Sequence, residues 1–110
     1  MYHIKLSECA AEDIDKTYEY ICENFKSVIV ADDLIDTLFQ KIDDLEKTPY
    51  MWSLVSNEIL ASYGFRMFQV KNYLLFYFID EIEATVVIAR FIHGSRDWSS
   101  ILKETQFSVS

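Results

Sequence analysis

Backbone breakers are scarce in this chain: two glycines and one proline in 110 residues. That scarcity excludes Gly/Pro-rich linkers and long disordered stretches, so most of the backbone is expected in regular elements. Cysteine is scarce as well. Cys9 and Cys22 fall in one predicted helix, where a 1.5 Å rise per residue separates them by roughly 20 Å. A disulfide needs Cα atoms within about 7 Å, so both are expected as ordinary reduced residues of a reducing compartment. No Cys/His cluster has metal-ligand spacing, and neither a metal nor another cofactor is expected. Long hydrophobic runs are missing too. The longest, Tyr73 to Ile79, falls far short of the ~20 residues of a membrane-spanning helix. Met1 leads straight into Tyr2-His3-Ile4 with no basic leader or cleavage site, and the expected location is the cytoplasm, away from membranes.

Positive charge is the last deficit. Ten Lys and Arg face eighteen Asp and Glu, for a net charge of −8. The overall field therefore excludes nucleic-acid binding by bulk electrostatics, because phosphate affinity rests on cation contacts and counterion release. The imbalance is uneven. Residues 1–48 hold twelve acids against five Lys/Arg, whereas residues 49–110 hold six against five, including all three arginines, Arg66, Arg90 and Arg96. A local cationic patch remains open.

What is abundant is apolar surface: 51% hydrophobic and 15% aromatic residues, enough for one core and one domain over residues 1–110. Tyr2, Ile4 and Leu6 alternate with His3 and Lys5, as in a half-buried strand. Ser7 stands where a helix N-cap belongs, with Glu8, Glu12 and Asp13 near the positive end of the helix dipole. Ile14, Tyr18, Ile21 and Phe25 form one helical stripe. After a turn at Asn24 to Ser27, Ala31, Leu34, Ile35, Leu38, Ile42 and Leu45 form another, closed by Pro49. Two such helices joined by a short turn predict an antiparallel hairpin. Residues 50–63 are undecided, with one or two helical turns possible from Asn57 to Tyr63. Strand signal then takes over: Phe65 to Val70, a tight turn at Lys71-Asn72 with Asn in left-handed geometry, the central run Tyr73 to Ile79, a polar loop, and Thr85 to Ile92. Gly94 breaks the last strand, and Asp97 caps a short helix holding Trp98, Ile101 and Leu102. The order β-α-α-β-β-β with a helical tail predicts an α+β fold, a helical hairpin packed on an antiparallel sheet.

Six segments carry a family resemblance: Leu6-Ser7, Tyr20-Ile21, Pro49, Gly64-Phe65-Arg66, Asn72 to Tyr77, and Arg90-Phe91-Ile92-His93-Gly94-Ser95-Arg96-Asp97. In this order and at this length the chain resembles RelE/ParE toxins of type II toxin–antitoxin modules, over roughly residues 2–103. The resemblance implies a cognate antitoxin as partner, a toxin–antitoxin hetero-oligomer, and one of two targets. RelE-like members cleave mRNA on the ribosome without metal. ParE-like members, of the plasmid-stabilisation type, poison DNA gyrase through protein contacts. If RelE-like, the matching catalytic residues are Arg66, Arg90 and His93, with arginines for the phosphorane charge and His as acid or base. Target contacts otherwise fall to Arg66, Lys71, Arg96 and Trp98.

Three observations weigh against cleavage. Residues 50–65 contain no Lys or Arg. Strand periodicity puts Arg90 and His93 on opposite faces unless the strand bulges or ends between them. The sequence pI is about 4.6. The His93–Trp98 ending resembles ParE-like members more, and in purely structural terms Gly94 makes the turn, Asp97 caps and Trp98 folds onto the core. Arg66 is expected either at a functional contact or in a salt bridge to the acidic helices. Asp32, Asp33, Asp36, Asp43, Asp44 and Glu46 read as solvated helix faces, Glu58 as a loop carboxylate, and Tyr73, Phe76, Tyr77 and Phe78 as core. The expected function is a ParE-like gyrase poison, with a RelE-like endoribonuclease and a non-toxic, antitoxin-binding homologue as alternatives.

Overall fold

A computed structural model of the chain describes residues 1–105. Strand β1 (His3–Leu6) leads into helices α1 (Glu8–Phe25) and α2 (Val28–Asp44). The short α3 (Glu58–Ser62) precedes strands β2 (Arg66–Val70), β3 (Tyr73–Asp80) and β4 (Thr85–His93), and α4 (Trp98–Glu104) follows. The undecided segment thus resolves into an irregular stretch and one short helix. Among the described residues no helix is long and apolar enough to cross a membrane.

The sheet order is β1-β4-β3-β2. β2–β3 and β3–β4 are antiparallel, while β1 joins β4 in parallel, from His3 opposite Thr85 to Leu6 opposite Ile88. Alternation reports which face a side chain takes, not the direction of the neighbouring strand, so the parallel edge was invisible in the sequence. One irregularity interrupts β3–β4. Phe76 pairs with Arg90 but Tyr77 pairs with Ile88, leaving Ala89 as the extra residue of a β-bulge.

Each face of the sheet carries its own core. On the hairpin side, Ile14, Ile21, Leu34, Leu38 and Ile42 pack on Phe68, Leu75, Tyr77 and Phe91. On the other side, Leu60 of α3 and Leu102 of α4 cover Phe76, Ala89 and Ile92. β3 is covered on both faces, which is why its sequence is almost unbroken apolar. Fully burying one such Leu or Ile contributes about 1.5–3 kcal/mol, so the two layers fix the sheet from both sides.

The outer edge of β2 is closed by irregular chain. Met67 N–H donates to the Ser53 carbonyl (3.3 Å), and Lys41 Nζ donates to the Gln69 carbonyl (3.0 Å). A lysine on an edge carbonyl blocks pairing with another chain.

Two turn assignments change. Lys71, not Asn72, takes the left-handed conformation (φ 54°). Its side chain is anchored to Asp33 at 2.6 Å, while the Asn72 carbonyl accepts the Gly94 N–H at 2.7 Å. Gly94 is needed for that approach rather than for a positive φ: a Cβ there would stand 3.2 Å from the Asn72 oxygen. Gly64, at φ 88° with open space around it, ends α3 as a left-handed cap.

Gly64→Ala therefore meets no neighbouring atom, and its cost is the strain of holding an L side chain at positive φ. Its urea midpoint is expected to report a loss of about 1 kcal/mol. Tyr77 donates its hydroxyl to the Pro49 carbonyl at 2.8 Å, and burial pushes its pKa up to about 12. Because the folded value lies above the unfolded one, this contribution is complete below pH 10 and lost as pH rises through about 12. Alkaline unfolding of Tyr77→Phe is expected to lack that component, with a loss of about 1 kcal/mol at neutral pH.

Candidate functional site

β1 ends at Leu6, but β4 runs on to His93, so the outer edge of β4 beyond Ile88 needs other partners. The first turns of α1 supply them. Ser7 N–H donates to the Ile88 carbonyl, and Ser7 Oγ donates to the Ala89 carbonyl at 2.8 Å while accepting from Ala10 N–H. Nearly two helical turns later the Asp13 carboxylate accepts the Phe91 N–H at 3.0 Å. It also takes Arg90 in a bidentate grip, from Nε at 2.7 Å and Nη2 at 2.9 Å. Arg90 Nη1 continues to Thr105 Oγ1 at 2.9 Å. The Arg90 and Asp13 side chains are only 16% and 13% exposed. The bond to Asp13, opposed in part by burial, raises the Arg90 pKa further. Arg90 therefore joins β4, α1 and the end of α4.

Beyond this clasp the edge of β4 opens into a groove of about 680 Å³. α1 lines it with Asp13, Lys16, Thr17, Tyr20 and Ile21, and the opposite wall is formed by Tyr73, Phe91 and His93. Ile92 also borders the groove although its side chain belongs to the far core, so the strand backbone itself forms part of the wall. His93 Nδ1 accepts the Ser95 N–H (3.1 Å) and lies 2.7 Å from Ser95 Oγ. These bonds leave Nε2 to carry the ring proton, an assignment made from hydrogen-bond geometry. The ring stands edge-on to Tyr73 at 5.1 Å. Arg96 and Lys71 complete the rim.

Arg66 lies elsewhere. Its Nη1 donates to the Trp52 carbonyl at 2.5 Å, and its guanidinium sits 5.0 Å from the centre of the Tyr50 ring. Among the described residues no carboxylate forms an ion pair with it, so the expected bridge to the acidic helices is not formed. Tyr50 and Tyr2 both donate to Glu81, and these hydrogen bonds raise both phenol pKa values.

The three arginine and histidine positions singled out for RNA cleavage do not converge. Arg66 is in register with Tyr77 and His93 with Tyr73, which separates them by roughly 13 Å along the strands as well as two strands across. Arg90 pairs with Phe76, on the other face from Tyr77, and the bulge precedes Arg90, so it does not bring Arg90 and His93 onto one face. Of the four target-contact positions, Lys71 and Arg96 share the groove with His93, whereas Arg66 is remote. Trp98 stacks on Phe76 at 5.2 Å in the opposite core. Asp97 caps α4 through Ser100 and Ser99, and these bonds hold its carboxyl below the usual range. Glu58 opens α3 behind the Asn57 cap. Asp13 and Lys16 are the site residues that sequence reasoning missed. Their signal was a second α1 face, Asp13-Lys16-Thr17-Tyr20, beside the main apolar stripe. Among the described residues no group of three His, Cys, Asp or Glu side chains could hold a metal ion.

Residues 4–98 match the family model of the ParE toxin of the type II toxin–antitoxin system parDE. No curated protein matches the sequence. The fold is similar to that in the chromosomal ParDE system from P. aeruginosa (15% identity, TM-score 0.68, covering 84% of this chain and 96% of that one). It is also similar to the RelBE2 toxin–antitoxin complex from Mycobacterium tuberculosis (25%, 0.57, 84% and 96%) and the intact E. coli RelBE complex (14%, 0.60, 87% and 100%).

Removing one partner of the clasp strands a charge in a largely dry site. Asp13→Ala is expected to lower the unfolding free energy by about 3 kcal/mol in urea denaturation, whereas replacing both partners, Asp13→Leu with Arg90→Met, recovers most of it.

Proposed function

Because the chain belongs to the ParE toxin family of type II toxin–antitoxin systems, we propose that it arrests growth by binding and poisoning DNA gyrase, in the cytoplasm, until a cognate antitoxin neutralises it. One observation carries the choice of a protein target over RNA. The cationic set that RNA cleavage requires is dispersed: Arg90 is spent on Asp13 and Thr105, and Arg66 sits under Tyr50, two strands across the sheet from His93. Phosphoryl chemistry through a ribose hydroxyl needs those charges around one phosphorus. The net charge of −8 supports the same reading, since A-site RNA is a polyanion. An antitoxin partner is supported by the ParDE and RelBE assemblies that share the fold.

The reading is tested by inducing the gene without its antitoxin and assaying the purified protein on gyrase and on translating ribosomes. Growth arrest, inhibited supercoiling and intact mRNA are expected. His93→Ala should leave toxicity within about twofold, because no proton transfer is asked of it. Cleavage of mRNA at codon boundaries with gyrase unaffected would establish the RelE-like alternative, and normal growth on induction the non-toxic one.

A further inference from the structure

The two faces of the sheet differ in charge far more than the net value suggests. The α1–α2 hairpin on one face, residues 8–44, carries eleven carboxylates against three lysines. The helices on the other face, α3 and α4, carry only Glu58, Lys103 and Glu104. Between these two helices the surface is apolar. A hollow of about 530 Å³ is lined by Ile59, Leu60, Tyr63, Phe65, Phe78 and Leu102, with Lys103 at its border. Two of those side chains also project into solvent, Ile59 at 56% and Tyr63 at 71% exposure. Four positions apart, they stand on one side of α3. Glu58 and Lys103 are exposed, and neither has a hydrogen-bond or ion-pair partner among the described residues. Lys103 acts on Asp97 through its field alone.

We propose that two copies of the chain meet through this face about a twofold axis. Ile59 and Tyr63 of each copy enter the hollow of the other, and Lys103 of each turns toward the other's Glu58. The projecting side chains and the hollow belong to one patch, as an isologous contact requires, because the same surface serves both sides. Charge selects a second copy over other occupants. The patch offers one unpaired base and one unpaired acid, so it complements itself. The carboxylate-rich hairpins then point outward from the pair, where a net charge of −8 per chain opposes association least. A nucleic-acid strand or an anionic membrane would find a single lysine here. A basic protein segment is drawn to the hairpin rather than to this nearly neutral face. Helices of five and seven residues make a small contact, so association is expected to be reversible and micromolar. The inference does not rest on the proposed target. It is read from the state of association rather than from growth or gyrase activity, so either can fail alone.

The test is sedimentation equilibrium of the full, isotopically labelled chain across a wide concentration series, with amide spectra recorded at each step. A reversible monomer–dimer equilibrium is expected, with concentration-dependent shifts over Glu58 to Tyr63 and Ile101 to Glu104. Ile59→Ser/Tyr63→Ser is expected to weaken the dimer by about tenfold or more. Its helix content and its urea midpoint, measured at a dilution where the unmodified chain is monomeric, should stay the same. Glu58→Lys alone is expected to weaken the dimer, and Glu58→Lys/Lys103→Glu to restore it, a pattern that misfolding cannot produce. The proposal is overturned if the chain is monomeric throughout, which would leave this face to a different protein. It is equally overturned if dimers survive Ile59→Ser/Tyr63→Ser unchanged, if the charge exchange restores nothing, or if the shifts map to the hairpin. Association that continues past the dimer would overturn it as well.

Discussion

The grip of Asp13 on Arg90 and the Phe91 amide holds the molecule's layers in place. β4 has to serve two neighbours in succession, a short parallel strand and then a helix, and a helix cannot satisfy a strand edge with its own backbone. Ser7 and Asp13 bridge that mismatch with side-chain oxygens, one at the helix cap and one two turns in. Arg90 then extends the contact to Thr105, so the same side chain ties the hairpin layer to the layer formed by α4. An arginine used this way has its donors spoken for, which bears directly on the chemistry the chain can perform.

That use of Arg90 also shapes the surface beyond it. With α1 pinned at Asp13 and the β2–β3 turn pinned to α2 through Lys71 and Asp33, the space between the two anchors stays open as the groove. Its apolar floor and cationic rim stand out on a hairpin otherwise covered in carboxylates. The net charge of the whole protein and the charge of this local rim therefore have opposite sign.

Much of the architecture was legible in the sequence because it is written in local patterns. The stripes Ile14-Tyr18-Ile21-Phe25 and Ala31-Leu34-Leu38-Ile42 gave the hairpin. The caps Ser7 and Asp97 gave helix starts, and the unbroken Tyr73 to Ile79 run gave a strand covered on both faces. What escaped was long-range. Asp13 and Arg90 are 77 positions apart, and nothing near either announces the other. Strand direction at β1 leaves no mark in alternation. At the β2–β3 turn, residue type favoured Asn72, but the Lys71–Asp33 pair and the Asn72–Gly94 bond settled the geometry the other way. The distance between Arg66 and His93, by contrast, follows from counting register outward from Lys71-Asn72, and so was partly within reach.

The bulge at Ala89 has an evolutionary consequence. Partners across a ladder share a face, and Ala89 is accommodated between two intact pairs, Ile88 with Tyr77 and Arg90 with Phe76. The supernumerary residue is taken up where it stands, and Phe91, Ile92 and His93 keep the sides that their partners Leu75, Leu74 and Tyr73 dictate. Deleting the one codon for Ala89 would therefore leave the alternation downstream unchanged. A strand built this way can change its length by one residue while what it turns toward α1 stays the same.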